Sequence, residues 1–386
     1  MKIAIFTDSY RPYTSGVVHS IETAKEELEA LGHKICIFAP AYPNQPKPEN
    51  NVFRFPSLPA PTNRDFTLAI PFNRRVKRIL RTWQPDLIHV HSPFILGSLG
   101  ARYARFFKLP LVFTFHTLYE EYVHYFPFAK NITKKVTRMI ARNFCNRCDL
   151  VIVPTTIIQD YLKNIGVRVP VTNIPTGIKV EEFSFRDRSW LKTYYQIPTE
   201  EKILLFVGRL GQEKNIGFLL EAYLKVNREF PGSRLVLVGG GPEEKALKKR
   251  VVAAGLQDKV IFTGKIPKEE VAKYYAGADL FVFASVTETQ GLVIAEAKAA
   301  GLPVVAVRAF GVTEMVQDGD DGFLTELNQK DFVAKILFLL KNDALRQKFA
   351  GKARLNAERL SARNCALKLL ESYQGLLKNN LPGDSS

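Results

Sequence analysis

The chain has 386 residues, 46% of them hydrophobic and 24% charged, so it is long enough for two globular domains with ordinary cores. No apolar run reaches the roughly 18 residues that a membrane span needs, and no transmembrane helix is expected. The net charge of +16 is concentrated in residues 64–147, with 15 basic and 4 acidic side chains, which indicates a membrane surface, a nucleic acid or an acidic substrate as partner.

The first apolar run, residues 2–7, is interpreted as a buried strand because it lacks the basic-then-apolar layout of a signal peptide. We therefore expect a cytoplasmic protein. Further short apolar runs alternate with amphipathic helical patterns such as residues 17–31, and this alternation predicts parallel strands joined by helices. The other strands predicted in the first half are 34–39, 86–90, 111–115 and 149–153.

The second half repeats this alternation, with strands predicted at 202–207, 234–239, 259–263, 279–283 and 303–307. Two such halves predict two α/β domains with a cleft between them, residues 1–176 and 177–365, with a hinge at 174–178. A last helical segment, 366–386, is expected to cross back to the first domain. In doubly wound sheets, ligands bind beyond the carboxyl ends of the strands, so the candidate residues are sought there.

Three features of the first half carry possible chemistry. Gly16 precedes a helix and lets backbone N–H groups approach a phosphate, although a plain loop has the same pattern. His116 follows strand 111–115, where it is either a ligand contact or a satisfied core histidine. Cys145 and Cys148 form a C-x-x-C pair, but no second pair or nearby histidine completes a metal site, so we interpret them as helix-end thiols.

The second half has a stronger pattern after two of its strands. Arg209 and Lys214 follow strand 202–207 and can clamp a diphosphate, unless they are solvated surface cations. Glu288 precedes a glycine-led helix and Glu296 lies inside it, so the two carboxylates can reach two parts of one long ligand. The N–H groups of residues 291–293 would meanwhile point at a phosphate. Chance spacing of two glutamates is the alternative.

Together, and in this order, Gly16, His116, the Arg209–Lys214 pair and the Glu288–Glu296 element resemble the retaining glycosyltransferases with the GT-B fold, the fourth family in the usual classification. The resemblance covers essentially the whole chain and implies two Rossmann-like doubly wound domains facing across a cleft. One departure is Ser15-Gly16, where many relatives have two glycines.

The resemblance also implies a role for each matching residue. His116 and Glu288 would be catalytic, with His116 near the reacting carbon of the sugar and Glu288 on its hydroxyls. The remaining residues would bind a nucleotide-sugar donor: the diphosphate, the ribose at Glu296, the nucleobase near Ile266, and the phosphate and acceptor at Gly16. These donor-binding residues are Gly16, Arg209, Lys214, Ile266, Gln290, Gly291, Leu292, Val293 and Glu296.

A narrower resemblance lies in residues 116–125 and 287–292, which are similar to bacterial glucosyltransferases that act on 1,2-diacylglycerol. It implies transfer of glucose from UDP-glucose to diacylglycerol with retention of configuration. No resident cofactor or ligated metal is expected, and stimulation by unligated Mg²⁺ is left open. The alternatives are phosphatidylinositol or another acceptor, a sugar-nucleotide epimerase of GT-B architecture, and a nucleic-acid-binding protein, for which no recognised motif is present.

Two basic amphipathic segments, 73–83 and 130–147, support a lipid acceptor. We expect their apolar stripes to pack largely on the sheet and their basic faces to contact an anionic membrane, with loop 53–72 dipping into lipid. The protein would then be peripheral on the inner face of the cell membrane. The predicted membrane-contacting residues are Arg74, Arg75, Lys77, Arg78, Arg81, Lys130, Lys134, Lys135 and Arg138.

Overall fold

The computed structural model describes residues 1–43, 49–60, 63–72, 74–118, 120, 130–185 and 187–379. The chain divides into two compact units, one formed by Met1–Gly177 with the segment from Ala362 onward, the other by Ile178–Ser361. The return to the first unit begins earlier than the predicted residue 366. It begins there because Ser361 still bridges to Ile178, whose N–H donates to the Leu360 carbonyl at 2.9 Å.

Strands and helices alternate through most of the chain. The strands are β1 (Lys2–Phe6), β2 (Lys34–Pro40), β3 (Val52–Phe55), β4 (Ser57–Ala60), β5 (Asn63–Ala69), β6 (Leu87–Val90), β7 (Leu111–Thr114), β8 (Leu150–Val153), β9 (Val171–Asn173), β10 (Lys202–Val207), β11 (Ser233–Val238), β12 (Val260–Gly264), β13 (Leu280–Phe283), β14 (Val304–Val307) and β15 (Gly322–Thr325). The helices are α1 (Gly16–Ala30), α2 (Arg74–Trp83), α3 (Ile95–Phe107), α4 (Lys130–Cys145), α5 (Thr156–Asn164), α6 (Trp190–Tyr194), α7 (Ile216–Glu229), α8 (Glu244–Ala253), α9 (Lys268–Gly277), α10 (Leu292–Ala299), α11 (Val312–Met315), α12 (Gln329–Lys341), α13 (Asp343–Ala357) and α14 (Ala362–Asn379). No described helix combines the length and the hydropathy that a membrane span requires.

The first unit contains a seven-stranded parallel sheet in the order β3-β2-β1-β6-β7-β8-β9. Its strands are apolar on both faces because helices cover both, as parallel sheets require. The chain builds outward from β1 in one direction and then restarts at β6 on the other side. The carboxyl ends of β1 and β6 therefore form a topological switch point, where ligands of such sheets bind.

The second unit repeats this plan with six parallel strands in the order β12-β11-β10-β13-β14-β15. Its switch point lies between β10 and β13. The prediction of two doubly wound parallel sheets is confirmed, and each predicted strand is present within about two residues. Strands β3, β9 and β15 were not predicted, because each is short and stands at or near a sheet edge.

The predicted lipid-dipping loop 53–72 is wrong as a loop. Residues 52–55 form β3 of the main sheet, and β4 and β5 form a separate antiparallel hairpin in which Leu58 lies opposite Leu68. Period-two alternation explains the hairpin: Thr67 and Ala69 are buried while Leu58, Leu68 and Ile70 are exposed. The hairpin thus presents an apolar face to solvent.

The apolar stripes of α2 and α4 behave differently. In α2, Val76 and Leu80 are buried as expected. In α4 the expectation of a core stripe is wrong for Val136, Met139 and Ile140, whose exposed fractions are 40%, 47% and 43%. The far end of α4 packs on the sheet, and Phe144 near that end is buried, whereas the middle of the helix is not covered by the described residues.

The C-x-x-C cysteines lie where α4 ends, with Cys145 its last residue and Cys148 just beyond. Both thiols are buried and free. Burial raises the pKa of the Cys145 thiol to about 12, so it stays protonated and unreactive near neutral pH. The helix-end interpretation agrees with this placement.

Helix α14 packs along α1 and completes the core of the first unit through the buried ring of Tyr373. Its first turn lies against Gly177. A Cβ atom at Gly177 would stand 2.6 Å from the Ala362 Cα atom and 3.1 Å from Cys365 Cβ. Only glycine therefore allows the chain and the returning helix to meet so closely.

We expect Gly177→Ala to lower the free energy of unfolding of the first unit by about 1–3 kcal/mol, because the added methyl group overpacks a backbone contact. The matched control is Gly375→Ala, also on α14, where a Cβ atom would meet nothing within 4 Å. That change should raise stability by about 0.5–1 kcal/mol through helix propensity. Thermal and urea unfolding followed by circular dichroism would test both; equal midpoints for the two variants would contradict the packing argument.

Candidate functional site

An ion pair stands at the switch point of the second unit. Because β10 and β13 are adjacent and parallel, the loops that follow them leave the same edge of the sheet. Lys214, from the loop after β10, forms an ion pair and hydrogen bond through Nζ with Oε1 of Glu288, from the loop after β13. Their side chains are only 17% and 16% exposed. The structure thus brings together two residues that lie 74 positions apart in the sequence.

Hydrogen bonds and a close backbone contact hold both loops in place. The Ser285 hydroxyl donates to the Glu213 carbonyl at 3.0 Å, which joins the end of β13 to the short 3-10 turn that carries Lys214. The Gly311 N–H donates to the Glu288 carbonyl at 2.9 Å. A Cβ atom at Gly311 would lie 2.0 Å from the Thr289 carbonyl oxygen, so the backbone of the Glu288 loop packs directly against the backbone of Gly311. These contacts fix the loops that carry Lys214 and Glu288.

Helix α10 begins immediately after this loop. Gly291 occupies the left-handed region with a φ of +90°, a conformation that favours glycine, and it turns the chain into the helix. Gln290 before it is buried, while Leu292 and Val293 are half-buried. The first N–H groups of a helix lack intrahelical acceptors, so this end of α10 offers donors and a positive partial charge to an anion.

Glu296 lies one turn further along α10 and is half-buried. Its Oε2 atom accepts a hydrogen bond from the buried Tyr275 hydroxyl at 2.8 Å. Burial raises the pKa of the Glu296 carboxyl, and the Tyr275 hydrogen bond and the Lys268 charge partly offset that effect. Tyr275 on α9, which the sequence did not single out, therefore fixes the direction in which Glu296 points.

The other donor-site candidates in this unit lie at the same edge. Arg209 follows β10 directly, and its side chain is exposed. Ile266 follows β12 and packs, half-buried, against the core of the unit. Between them, a Cβ atom at Gly239 would stand 2.1 Å from the Gly208 carbonyl oxygen, so the turns after β10 and β11 are in backbone contact.

In the first unit, His116 lies beside a second histidine. His91 follows β6 and His116 follows β7, so adjacent parallel strands carry the two rings to one edge. His91 Nδ1 is 2.8 Å from His116 Nε2, with ring centroids 5.1 Å apart. Burial lowers the pKa of His116 to about 4 and that of His91 well below its ordinary value, so both rings are neutral near pH 7.

A third imidazole stands behind this pair. His89 lies inside β6, with its ring centroid 4.2 Å from that of His91. Its Nδ1 atom is 2.6 Å from the Tyr373 hydroxyl and its Nε2 atom 2.7 Å from the Thr114 hydroxyl. Burial, with a smaller contribution from His116, lowers the pKa of His89 to about 3. His89 is therefore a core histidine with both ring nitrogens hydrogen-bonded.

The loop after β1 adds two further polar side chains, Asp8 and Ser15, near the carboxyl edge of the first sheet. Asp8, after β1, accepts hydrogen bonds from the Ser92 hydroxyl and from the Leu96 N–H at 2.8 Å, and so caps the first turn of α3. Ser15 accepts from the Val18 N–H at 3.3 Å and is the N-cap of α1, which begins at Gly16. This cap explains why a serine suits the position where many relatives have glycine.

His91, His89 and Asp8 were not among the site residues predicted from the sequence. The sequence did contain a signal for these residues, because Asp8 and the segment His89-Val90-His91-Ser92 lie at or beyond the carboxyl ends of two predicted strands, where ligands bind. Tyr275 had no such signal, since it lies on a helix. Most of the segment 116–125 that carried the narrower resemblance lies outside the described residues.

The predicted membrane residues are on the surface as far as they are described. Arg75, Arg78 and Arg81 of α2 are exposed, and Lys77 is half-buried with its ammonium group 4.1 Å from the centroid of the Phe106 ring. On α4, Lys135 and Arg138 are exposed and Lys134 is half-buried; Arg138 pairs with Glu120. The side chains of Arg74 and Lys130 lie outside the described residues.

Comparison with known proteins gives matches to both halves of the chain. The family model "Glycosyltransferase Family 4" matches residues 14–182, and "Glycosyl transferases group 1" matches residues 190–356. The alpha-monoglucosyldiacylglycerol synthase of Acholeplasma laidlawii is 32% identical over 98% of this chain and 98% of its own length. The enzyme of the same name from Streptococcus pneumoniae is 38% identical over 79% of this chain and 71% of its own length.

Among solved structures, Anabaena HepE in complex with UDP-glucose superposes with a TM-score of 0.77, covering 97% of this chain and 100% of that chain at 20% identity. At that identity the match establishes the GT-B fold. It agrees with the two doubly wound sheets described above.

The three neutral histidines make the first unit sensitive to acid. Their folded-state pKa values lie below the ordinary value of 6.5, so on acidification the unfolded chain takes up protons first. The stabilisation is fully present above about pH 6.5 and is lost as the pH falls toward the folded-state values. We expect the loss to approach about 1.4 kcal/mol per histidine per pH unit once the pH is well below 6.5.

Urea unfolding at pH 7.5, 6.5 and 5.5 would measure this loss. The His89→Gln variant is the control, because it should be less stable at pH 7.5 yet lose about 1 kcal/mol less than the wild type between pH 6.5 and 5.5, an interval that begins where the unfolded histidine is half protonated. Identical pH slopes in the two proteins would show that His89 is not held neutral by folding.

Proposed function

This chain belongs to the GT-B glycosyltransferases of family 4, and on that premise we propose that it transfers glucose from UDP-glucose to 1,2-diacylglycerol, with retention of configuration, at the inner face of the cell membrane. The observation that carries the proposal is the convergence of Lys214, Glu288 and the Gly291-led start of α10 at the switch point of the second unit. That arrangement offers a cation, a carboxylate and a helix N-terminus at one edge of a sheet.

The donor would use these groups according to their chemistry. A diphosphate takes Lys214, Arg209 and the N–H groups at the start of α10, which supply positive charge and hydrogen-bond donors. Carboxylates accept hydrogen bonds from sugar hydroxyls, a role that suits Glu288 for the glucose and Glu296 for the ribose. Because Lys214 already pairs with Glu288, the donor would insert between two charges that neutralise each other in its absence.

Retention follows if the acceptor attacks the face that the leaving group vacates. The bond between the anomeric carbon and the diphosphate oxygen breaks, the acceptor hydroxyl oxygen forms the new bond on the same face, and its proton passes to the departing diphosphate. The diphosphate is stabilised by Arg209, Lys214 and the α10 N-terminus, so the reaction needs no resident metal or cofactor. Free Mg²⁺ would act only as a stimulant.

Similarity to two alpha-monoglucosyldiacylglycerol synthases supports glucose as the sugar and diacylglycerol as the acceptor. HepE, which has the same fold, was solved with UDP-glucose, and this supports the donor. The surface of the first unit is also suited to a lipid acceptor. The β4–β5 hairpin exposes Leu58, Leu68 and Ile70, and Phe72, two residues beyond Ile70, is 88% exposed.

Basic residues accompany these apolar faces. Arg75 and Arg78 lie on α2, which begins just after Phe72. Lys135 and Arg138 lie beside the exposed apolar residues of α4. Apolar side chains that enter the acyl boundary, together with cations that contact anionic headgroups, are the two parts of an interfacial binding surface. The proposed acceptor would then be reached in the bilayer itself.

We expect the protein to form a labelled monoglucosyl lipid from radiolabelled UDP-glucose and diacylglycerol in mixed micelles that contain phosphatidylglycerol. Lys214→Ala should reduce turnover by about 100-fold or more, as the loss of an electrostatic contact to the leaving group does. Lys249→Ala, which removes an exposed lysine of α8, should stay within about twofold of wild type.

Thin-layer chromatography identifies the lipid, and the proton coupling of its anomeric centre reports the configuration. Label in lipid only with phosphatidylinositol, or only from GDP-mannose, would replace the acceptor or the donor in the proposal. An unchanged rate in Lys214→Ala would remove the donor-site assignment.

The membrane surface can be tested without catalysis. Replacing Arg74, Arg75, Lys77, Arg78 and Arg81 with glutamine removes five cations, each contributing about 1 kcal/mol near an anionic surface. We expect wild-type protein to co-sediment with phosphatidylglycerol vesicles, to be released by salt, and to bind phosphatidylcholine vesicles weakly. The five-fold variant should lose most of this binding.

The control replaces Lys245, Lys248 and Lys249 of α8 with glutamine, since these cations belong to the other unit. It should co-sediment like the wild type. If the control loses as much binding as the five-fold variant, net charge and not the basic face of α2 governs association.

A further inference from the structure

One ring nitrogen of His91 forms a hydrogen bond, and the other has no partner among the residues that the structure describes. The residue lies directly after β6 and is 3% exposed. Its Nδ1 atom is 2.8 Å from His116 Nε2. Its Nε2 atom is buried, and none of the groups in the described part of the chain forms a hydrogen bond with it. The proton in the His91–His116 contact must therefore be assigned to one ring or the other.

Two arrangements of protons are possible for a neutral pair. Either His91 donates from Nδ1–H, which leaves a bare lone pair at its buried Nε2, or His116 donates from Nε2–H, which leaves a buried and unpaired N–H on His91. Orphaned N–H donors are the rarer of the two in protein interiors, and acceptors are more often left under-satisfied. The first arrangement is therefore favoured.

The surroundings of His91 hold its ring in place for this contact. Its backbone N–H donates to the Phe6 carbonyl at 3.0 Å, and its ring lies on that of His89. His89 is itself hydrogen-bonded at both nitrogens, to the Tyr373 and Thr114 hydroxyls. The ring therefore rests on a fully hydrogen-bonded neighbour.

We propose that His91 is a positioning residue that donates its Nδ1–H to His116 Nε2 and so fixes His116 in the tautomer that carries its proton on Nδ1. The inference rests on the proposed function and on the role that the family resemblance implies for His116, a contact with the donor sugar near the reacting carbon. In that tautomer His116 acts through an N–H donor at Nδ1, and its Nε2 lone pair is occupied. His116 therefore binds an oxygen atom and is not a general base.

The tautomer is directly measurable in the wild-type full-length protein. Long-range proton–nitrogen correlation of ¹⁵N-labelled protein at pH 7 distinguishes a protonated ring nitrogen from a bare one. The His116 signals are assigned by their disappearance in His116→Asn. We expect a protonated Nδ1 and a bare Nε2; a protonated Nε2 on His116 would overturn the proposal.

Two substitutions separate positioning from packing. His91→Asn places an amide N–H near the position of the imidazole Nδ1–H, whereas His91→Leu keeps the bulk and removes the donor. We expect His91→Leu to populate both tautomers of His116 and to lower kcat about 10-fold or more, as loss of an orienting hydrogen bond does, with KM for UDP-glucose nearly unchanged. His91→Asn should retain the wild-type tautomer and most of kcat.

The outcomes keep this inference apart from the proposed function. If His91→Leu does not fold, the wild-type spectrum and His91→Asn still decide the tautomer. Glycolipid synthesis together with a protonated Nε2 on His116 would defeat the positioning role and leave the function intact. A protonated Nδ1 in a protein that transfers no sugar would support the hydrogen bond and defeat the function. Equal loss of kcat in the Asn and Leu variants with an unchanged His116 tautomer would contradict positioning.

Discussion

The common direction of the strands within each sheet is the constraint on which the candidate sites depend. Parallel strands end at one edge, and the chain reverses its direction of growth once in each unit, between β1 and β6 and between β10 and β13. The residues with chemistry follow these strands or their neighbours: Lys214 and Glu288 in one unit, His91 and His116 in the other. The residues of each pair lie close together because their strands end at the same edge of the sheet, whatever their separation in the sequence.

A second requirement is that α10, which follows the Glu288 loop, keep its position. Its far half is anchored by Lys298, which is buried and pairs with the buried Asp321 at 2.5 Å while donating to the Met315 carbonyl at 2.8 Å. Asn356 of α13 donates to the same carboxylate at 2.9 Å. A buried ion pair is stable only when its remaining hydrogen bonds are made, and here they are. Gly311 thus holds the Glu288 loop that precedes α10, and this pair holds the far half of the helix.

Much of the fold could be predicted from the sequence, because buried parallel strands are continuous apolar runs that alternate regularly with helical patterns. The errors occur where burial depends on neighbours that the sequence does not reveal. Burial alternates with period two over residues 67–70, which were interpreted as part of a loop. Helix α4 has an apolar stripe at helical spacing, as α2 has, yet exposes Val136 and Met139. Periodicity shows that a helix has an apolar face; it does not show that something covers it.

In the candidate sites, too, some contacts could be predicted from the sequence and others depend on packing. The placement of Lys214 and Glu288 at one edge of the second sheet could be predicted, because both follow predicted strands. Tyr275 could not, since its hydrogen bond to Glu296 depends on how α9 packs against α10. The His91–His116 contact depends on strand order, which places β6 beside β7, and no local pattern reports that order.

The split composition of the first unit has a consequence for how the protein is made on the ribosome. Its sheet is complete once β9 has emerged, but Tyr373, which fills the core beside α1 and bonds His89, belongs to the last described helix. The second unit is continuous in sequence and lies wholly between these two parts. Synthesis therefore delivers a finished second unit before the first can close, and during that interval the groove along α1 that α14 will fill is open to the chaperones that bind nascent chains.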